Sequence, residues 1–161
     1  MKKSLLLYLS LLLFATMGFV SCSNNEPEDT SSSIQLTDLP VQAQDFIKKY
    51  FRDEKITKIE KEDYTDVTIF TVYMADYQVM FNDQGIWQQV EANFGIEIPF
   101  GIMPEPIQQT LNERYSGFGV NEITRTGENY ALVLTDNQGG NSIRLIFNQS
   151  GEILSESQDS E

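Results

Sequence analysis

A chain of 161 residues that is 40% hydrophobic holds enough apolar material for a packed core in one domain or two small ones, which excludes a wholly disordered protein. Its 24 acids against 11 basic residues give a formal charge of −13, which sets it against nucleic acid and anionic lipid as partners. It has no histidine and one cysteine, so Ser-His and Cys-His nucleophilic catalysis, histidine acid–base chemistry and Cys/His zinc sites are excluded. Carboxylate pairs of the glycosidase kind remain arithmetically possible, but none is flanked by a recognisable pocket motif. The chain is therefore expected not to be an enzyme and to need no cofactor or metal.

Lys2 and Lys3 precede an apolar run over 5–20 that ends at Ser21-Cys22, so residues 1–21 read as a secretory signal. Phe19-Val20-Ser21-Cys22 resembles the lipobox of bacterial lipoproteins, in which the cysteine becomes a lipidated N-terminus; Phe19 departs from the usual Leu. The competing reading is an uncleaved membrane anchor, for which the uncharged run over 4–20 is at the short end. Loss of residues 1–21 removes two lysines and no acid, leaving a side-chain charge of −15. Residues 22–37 are polar and form a flexible tether. Glu26, Glu28 and Asp29 in it look like the surface-export signal of Bacteroidetes lipoproteins. A plain acidic linker would look the same, so an outer-membrane anchor is expected, with cell surface and periplasmic face both open.

Two copies of one pattern follow. Phe81-Asn82-Asp83-Gln84-Gly85-Ile86 returns 66 residues later as Phe147-Asn148-Gln149-Ser150-Gly151-Glu152-Ile153. Upstream, Pro40, Ile47, Phe51 and Ile59 return 64 residues later as Pro104, Leu111, Tyr115 and Ile123. This is a tandem duplication with a net gain of two residues between Ile123 and Phe147.

In the first copy, residues 38–92, Ala43, Phe46, Ile47, Tyr50 and Phe51 make one apolar helical stripe, with Thr37 or Asp38 as cap and Pro40 in the first turn. The period then changes to two, predicting strands over 56–63, 67–74, 77–81 and 86–91. The connector, 93–103, is unusually apolar and is expected to pack between the copies. In the second copy, 104–155, Ile107, Leu111 and Tyr115 repeat the stripe and Ser116-Gly117 ends it. Its strands are predicted over 120–126, 130–135, 142–147 and 152–154, with a disordered tail over 156–161. Asp136-Asn137-Gln138-Gly139-Gly140-Asn141 is rich in oxygen ligands but lacks the alternating acids and final Glu of an EF-hand loop, so it reads as a hairpin turn holding the two extra residues. Short turns make neighbouring strands antiparallel. The fold class expected is α+β: a duplicated αββββ unit whose sheet edges join into about eight antiparallel strands, with both helices on one face.

The order of helix and strands, together with Tyr77-Gln78-Val79-Met80-Phe81-Asn82-Asp83-Gln84-Gly85-Ile86-Trp87, resembles the PepSY-like lipoproteins of Bacteroidetes, a group related in fold to the β-lactamase inhibitory protein. The resemblance covers about residues 38–155 and is closer in the first copy, since Leu154 stands where an aromatic would follow in the second. It implies a binding or inhibitory role and brings no catalytic residue with it.

Strand parity puts Tyr77, Val79 and Phe81, matched by Ile143, Leu145 and Phe147, toward the helices. Gln78 and Met80, matched by Arg144 and Ile146, then lie on the opposite, open face. With Trp87, whose face parity does not decide, these are the candidate binding residues for a protein or peptide partner. Alternatives are a surface glycan-binding lipoprotein using Trp87 and exposed tyrosines as stacking platforms, or a structural envelope component. The membrane is expected as a partner only through the anchor at Cys22. Lys48, Lys49, Arg52, Lys55, Lys58 and Lys61 could hold an anion but read better as a solvated face paired to local acids.

Overall fold

A computed structural model describes residues 34–137 and 140–158; Cys22 and the predicted signal lie outside them. A 3-10 turn, Leu36–Asp38, precedes the first helix, α1, Val41–Tyr50. Asp38 accepts from the Gln35 backbone N–H at 2.8 Å, so it closes the 3-10 turn, and Pro40 occupies the α1 cap position. Ala43 and Ile47 of the predicted stripe are buried, as is Phe51 just past the helix. The second helix, α2, Glu105–Arg114, repeats the arrangement with Ile107, Leu111 and Tyr115.

Eight strands form one antiparallel sheet in sequence order: β1 Ile56–Asp63, β2 Thr68–Met74, β3 Tyr77–Asn82, β4 Trp87–Ala92, β5 Phe118–Thr126, β6 Asn129–Asp136, β7 Ser142–Phe147 and β8 Ile153–Gln158. The register aligns Ile59, Val72, Val79, Val90, Ile123, Leu132 and Leu145 into one row across seven strands. Six of these are fully buried and Ile59 packs against them, so the row is the floor of a single core beneath both helices. A sheet covered on one face thus spans both copies. The two copies meet where β4 pairs with β5, over only three residue pairs.

The repeated Phe-Asn-x-x-Gly motif has one job per residue. Phe81 and Phe147 are fully buried in the core. Asn82 Oδ1 accepts from the backbone N–H groups of Gln84 and Ile86, and Asn148 Oδ1 accepts from those of Ser150 and Glu152, closing the turns. Gly85 and Gly151 have φ near 80°, and each turn lies under the start of its own helix. A Cβ at Gly85 would come within 2.8 Å of Pro40, and one at Gly151 within 2.5 Å of the Pro106 carbonyl oxygen.

Register also resolves the two extra residues. Val72 pairs with Ile59 and Val79, and its counterpart Leu132 pairs with Ile123 and Leu145. The offset between copies therefore falls from 64 at Ile123 to 60 at Leu132 and rises to 66 at Leu145. The β5–β6 turn is four residues shorter than its counterpart and the β6–β7 loop six longer. The predicted tail is corrected as well, because β8 continues through Glu156 to Gln158 along β7. In the connector, Ile98, Ile102 and Met103 are buried and the Ile98 N–H donates to the Val120 carbonyl at 2.8 Å, whereas Phe94 is 85% exposed.

Candidate functional site

Neither helix covers the second face of the sheet. Side chains there form two unbroken rows, because residues paired across antiparallel strands point to the same side. One row runs Lys58, Tyr73, Gln78, Glu91, Glu122, Val133, Arg144 and Ser157; its neighbour runs Glu60, Thr71, Met80, Gln89, Thr124, Ala131, Ile146 and Ser155.

Gln78, Met80, Arg144 and Ile146 therefore share the open face, and all four are half-buried. They are not one patch. Met80 on β3 and Ile146 on β7 are four strand spacings apart, about 19 Å. Between them lie Gln89, Glu91, Glu122, Thr124 and Val133, which strand parity alone does not bring to the centre, because it does not reveal that β4 pairs with β5. Here Glu122 accepts from Gln89 Nε2 at 3.2 Å and from the Thr124 hydroxyl at 2.9 Å. Glu91 stands directly opposite it in the register.

The β1–β2 end of this face is held by Tyr73, whose hydroxyl donates to Glu60 at 2.7 Å while Lys58 pairs with the same carboxylate. The Lys58 and Tyr73 hydrogen bonds hold the Glu60 carboxyl below its usual range, and the bond to Glu60 raises the Tyr73 phenol. Thr71, flanked by Glu60 and Met80, is only 4% exposed.

Trp87 does not belong to the open face. It pairs with Phe81 past a bulge, is buried, and lies 6.1 Å from the Phe46 ring under α1. It thus points to the helix side, and a glycan platform on Trp87 loses its exposed ring. Over it lies Arg125, with the guanidinium 4.4 Å from the indole centroid and 5.8 Å from that of Tyr130. An arginine two residues beyond the buried Ile123 was the visible sign that a charge points inward here.

The basic stretch is dispersed. Lys61 pairs with Asp63 at 2.6 Å, Lys49 lies over the Tyr50 ring, and Lys58 belongs to the open face. In the β6–β7 loop, Asp136 accepts from the Gly140 N–H at 2.8 Å and from Asn141 Nδ2 at 2.9 Å, so its carboxylate closes the hairpin. Among the described residues no three acidic or thiol side chains converge as a metal site would require, and no helix is long and apolar enough to cross a membrane.

The profile of one protein family, described as "Putative beta-lactamase-inhibitor-like, PepSY-like", matches twice, over residues 25–71 and 63–155, in keeping with a duplicated chain. A search of the curated proteins finds no match. Among solved structures, a candidate calcium-regulated periplasmic protein of Bacteroides thetaiotaomicron is 25% identical with a TM-score of 0.69, over 78% of this chain and 94% of that one. A candidate periplasmic protein of unknown function from Bacteroides vulgatus is 28% identical with a TM-score of 0.65, over 76% and 94%. A second protein of that organism, 23% identical with a TM-score of 0.69 over 81% and 98%, shares the fold.

Proposed function

The chain belongs to the PepSY-like, beta-lactamase-inhibitor-like family, and from that premise we propose that it is a non-catalytic binding module of the cell envelope whose open sheet face engages a protein or peptide. The observation that carries this reading is the pair of continuous side-chain rows on the uncovered face, which mix apolar Met80, Val133 and Ile146 with polar Gln78, Gln89 and Arg144. Such a surface offers area and hydrogen-bonding groups without a deep cavity, as protein interfaces do. Inhibition of the partner is one form that engagement could take, and the family description is its only support.

The anchor in this reading is a lipid on Cys22 after loss of residues 1–21, with 22–37 as the tether and an outer-membrane location. The description of similar Bacteroides proteins as candidate periplasmic proteins supports the envelope part of it. One of them is described as calcium-regulated; in this chain the Asp136 carboxylate accepts from Gly140 and Asn141 within its own hairpin.

The test is recovery of partners from envelope extract on immobilised protein lacking residues 1–22, compared with the Met80→Ala/Arg144→Ala variant. Loss of a specific partner with an unchanged melting temperature supports the reading, since substitutions outside a core cost little stability. Unchanged recovery by the folded variant contradicts it.

A further inference from the structure

On the helix side of the sheet, the junction of the two copies carries a second arrangement with the features of a binding site. Trp87 comes from the start of β4, Arg125 from the end of β5 and Tyr130 from the start of β6. The two rings are 6.3 Å apart and tilted by 36°, and the guanidinium lies over both. The duplication repeats this only in part: in the register of the first copy Lys61 and Phe70 take the places of Arg125 and Tyr130, but Ile153 stands 66 residues after Trp87 and leaves the second ring without a counterpart. The cluster exists only where the copies join.

Arg125 is half-buried, and its Nε is shielded from solvent without a hydrogen-bond acceptor. Arg125 forms no ion pair with a carboxylate among the described residues, unlike Lys58 with Glu60 and Lys61 with Asp63. In a chain with 24 acids, a guanidinium within cation–π reach of two rings and without an ion-paired acid is a donor set prepared for something else.

We propose that Arg125, Trp87 and Tyr130 form a binding site for a single carboxylate carried on an apolar body. The planar fork of a guanidinium matches the two oxygens of a carboxylate. One positive charge in a chain of net charge −13 suits a monoanion and repels polyanions. Tyr130, packed at the edge of the core and only partly buried, offers apolar surface beside the fork. A small organic acid and the C-terminal carboxylate of a peptide share this chemistry. The site lies on the opposite side of the sheet from the face proposed for a protein partner, and neither reading depends on the other.

Trp87 is the only tryptophan, so its fluorescence reports on the site directly. The folded protein lacking residues 1–22 is titrated with benzoate, with benzamide as the neutral match, with inorganic phosphate, and with a short acetylated peptide ending in a free phenylalanine carboxylate. The proposal expects a saturable change with benzoate or the peptide, the tighter of the two identifying the source. It expects none with benzamide, binding at least tenfold weaker in Arg125→Gln, and weakened binding in Arg125→Lys, which keeps the charge without the fork. A non-saturating response, an equal response to benzamide, unchanged binding in Arg125→Gln or phosphate binding as tight as benzoate overturns it. Should Arg125→Gln fail to fold, the wild-type backbone amide resonances of Arg125 and Tyr130 decide: shifts there on adding benzoate support the site, and their absence overturns it.

Discussion

Glu91 and Glu122 face each other across the three residue pairs that join the two copies, on the open side of the sheet. Like charges directly opposite in an antiparallel pair are destabilising, and here they sit at the shortest ladder in the molecule. Glu122 is partly compensated by Gln89 and Thr124. Glu91→Lys converts the pair to opposite charges and is expected to raise stability by about 0.2 to 1 kcal/mol. Urea denaturation at low and high salt checks this, and the gain should shrink as salt increases. A loss of stability at low salt would contradict the pairing.

The turn glycines give a sharper structural test. Gly151→Ala adds a Cβ against the Pro106 carbonyl in a left-handed conformation, with an expected cost of about 2 to 5 kcal/mol from backbone strain and overpacking together. Phe51→Ala, which empties a buried position beneath α1, is expected to cost about 3 to 5 kcal/mol. Gly127→Ala, at positive φ with nothing within 4 Å, should cost only the strain, about 1 to 2 kcal/mol. Thermal or denaturant unfolding of the three variants orders them, and equal costs at Gly151 and Gly127 would deny the helix–turn contact.

Tyr115, at the end of α2, donates to Glu156 of β8 at 2.7 Å and so ties the helix to the last strand. Burial first, and then the Glu156 hydrogen bond, raise its phenol above the ordinary value near 10. A folded-state pKa raised above the unfolded one contributes stability that is fully present below about pH 10 and is lost as pH rises through the folded value. Tyr115→Phe should therefore flatten part of the alkaline fall in stability. An unchanged alkaline profile would mean that this bond does not couple to folding.

The helices, strand parity and shared core were legible because each rests on periodicity: the stripe Ala43, Ile47, Phe51 and the alternation Val79, Phe81 need no knowledge of neighbours. Trp87 was not, since its face depends on a bulge between Met80 and Phe81. The β6 register was hidden because a turn shortened by four and a loop lengthened by six leave a net change of only two. The end of β8 escaped because Ser155, Glu156, Ser157 and Gln158 lie on an edge with no apolar alternation to mark it. The Glu91–Glu122 pair and the Arg125 cluster arise from adjacency of β4 and β5, a tertiary fact that no local pattern carries.

Cys22→Ala tests the proposed anchor. The variant should take up no labelled fatty acid and should accumulate at precursor size, because Cys22 is the only cysteine in the chain. Labelling that survives the substitution would contradict lipidation at Cys22.

The central claim is that the uncovered sheet face meets a protein partner, and position-specific photo-cross-linking reads it most directly. A photoreactive side chain replaces Gln89, at the centre of the open face, or Asp45, exposed on α1, in protein lacking residues 1–22. After mixing with envelope extract, the Gln89 position should yield a discrete adduct that is lost when Met80 and Arg144 are also substituted, and the Asp45 position should not yield it. The same adduct from Asp45, or one from Gln89 that is indifferent to the Met80 and Arg144 substitutions, would contradict the account.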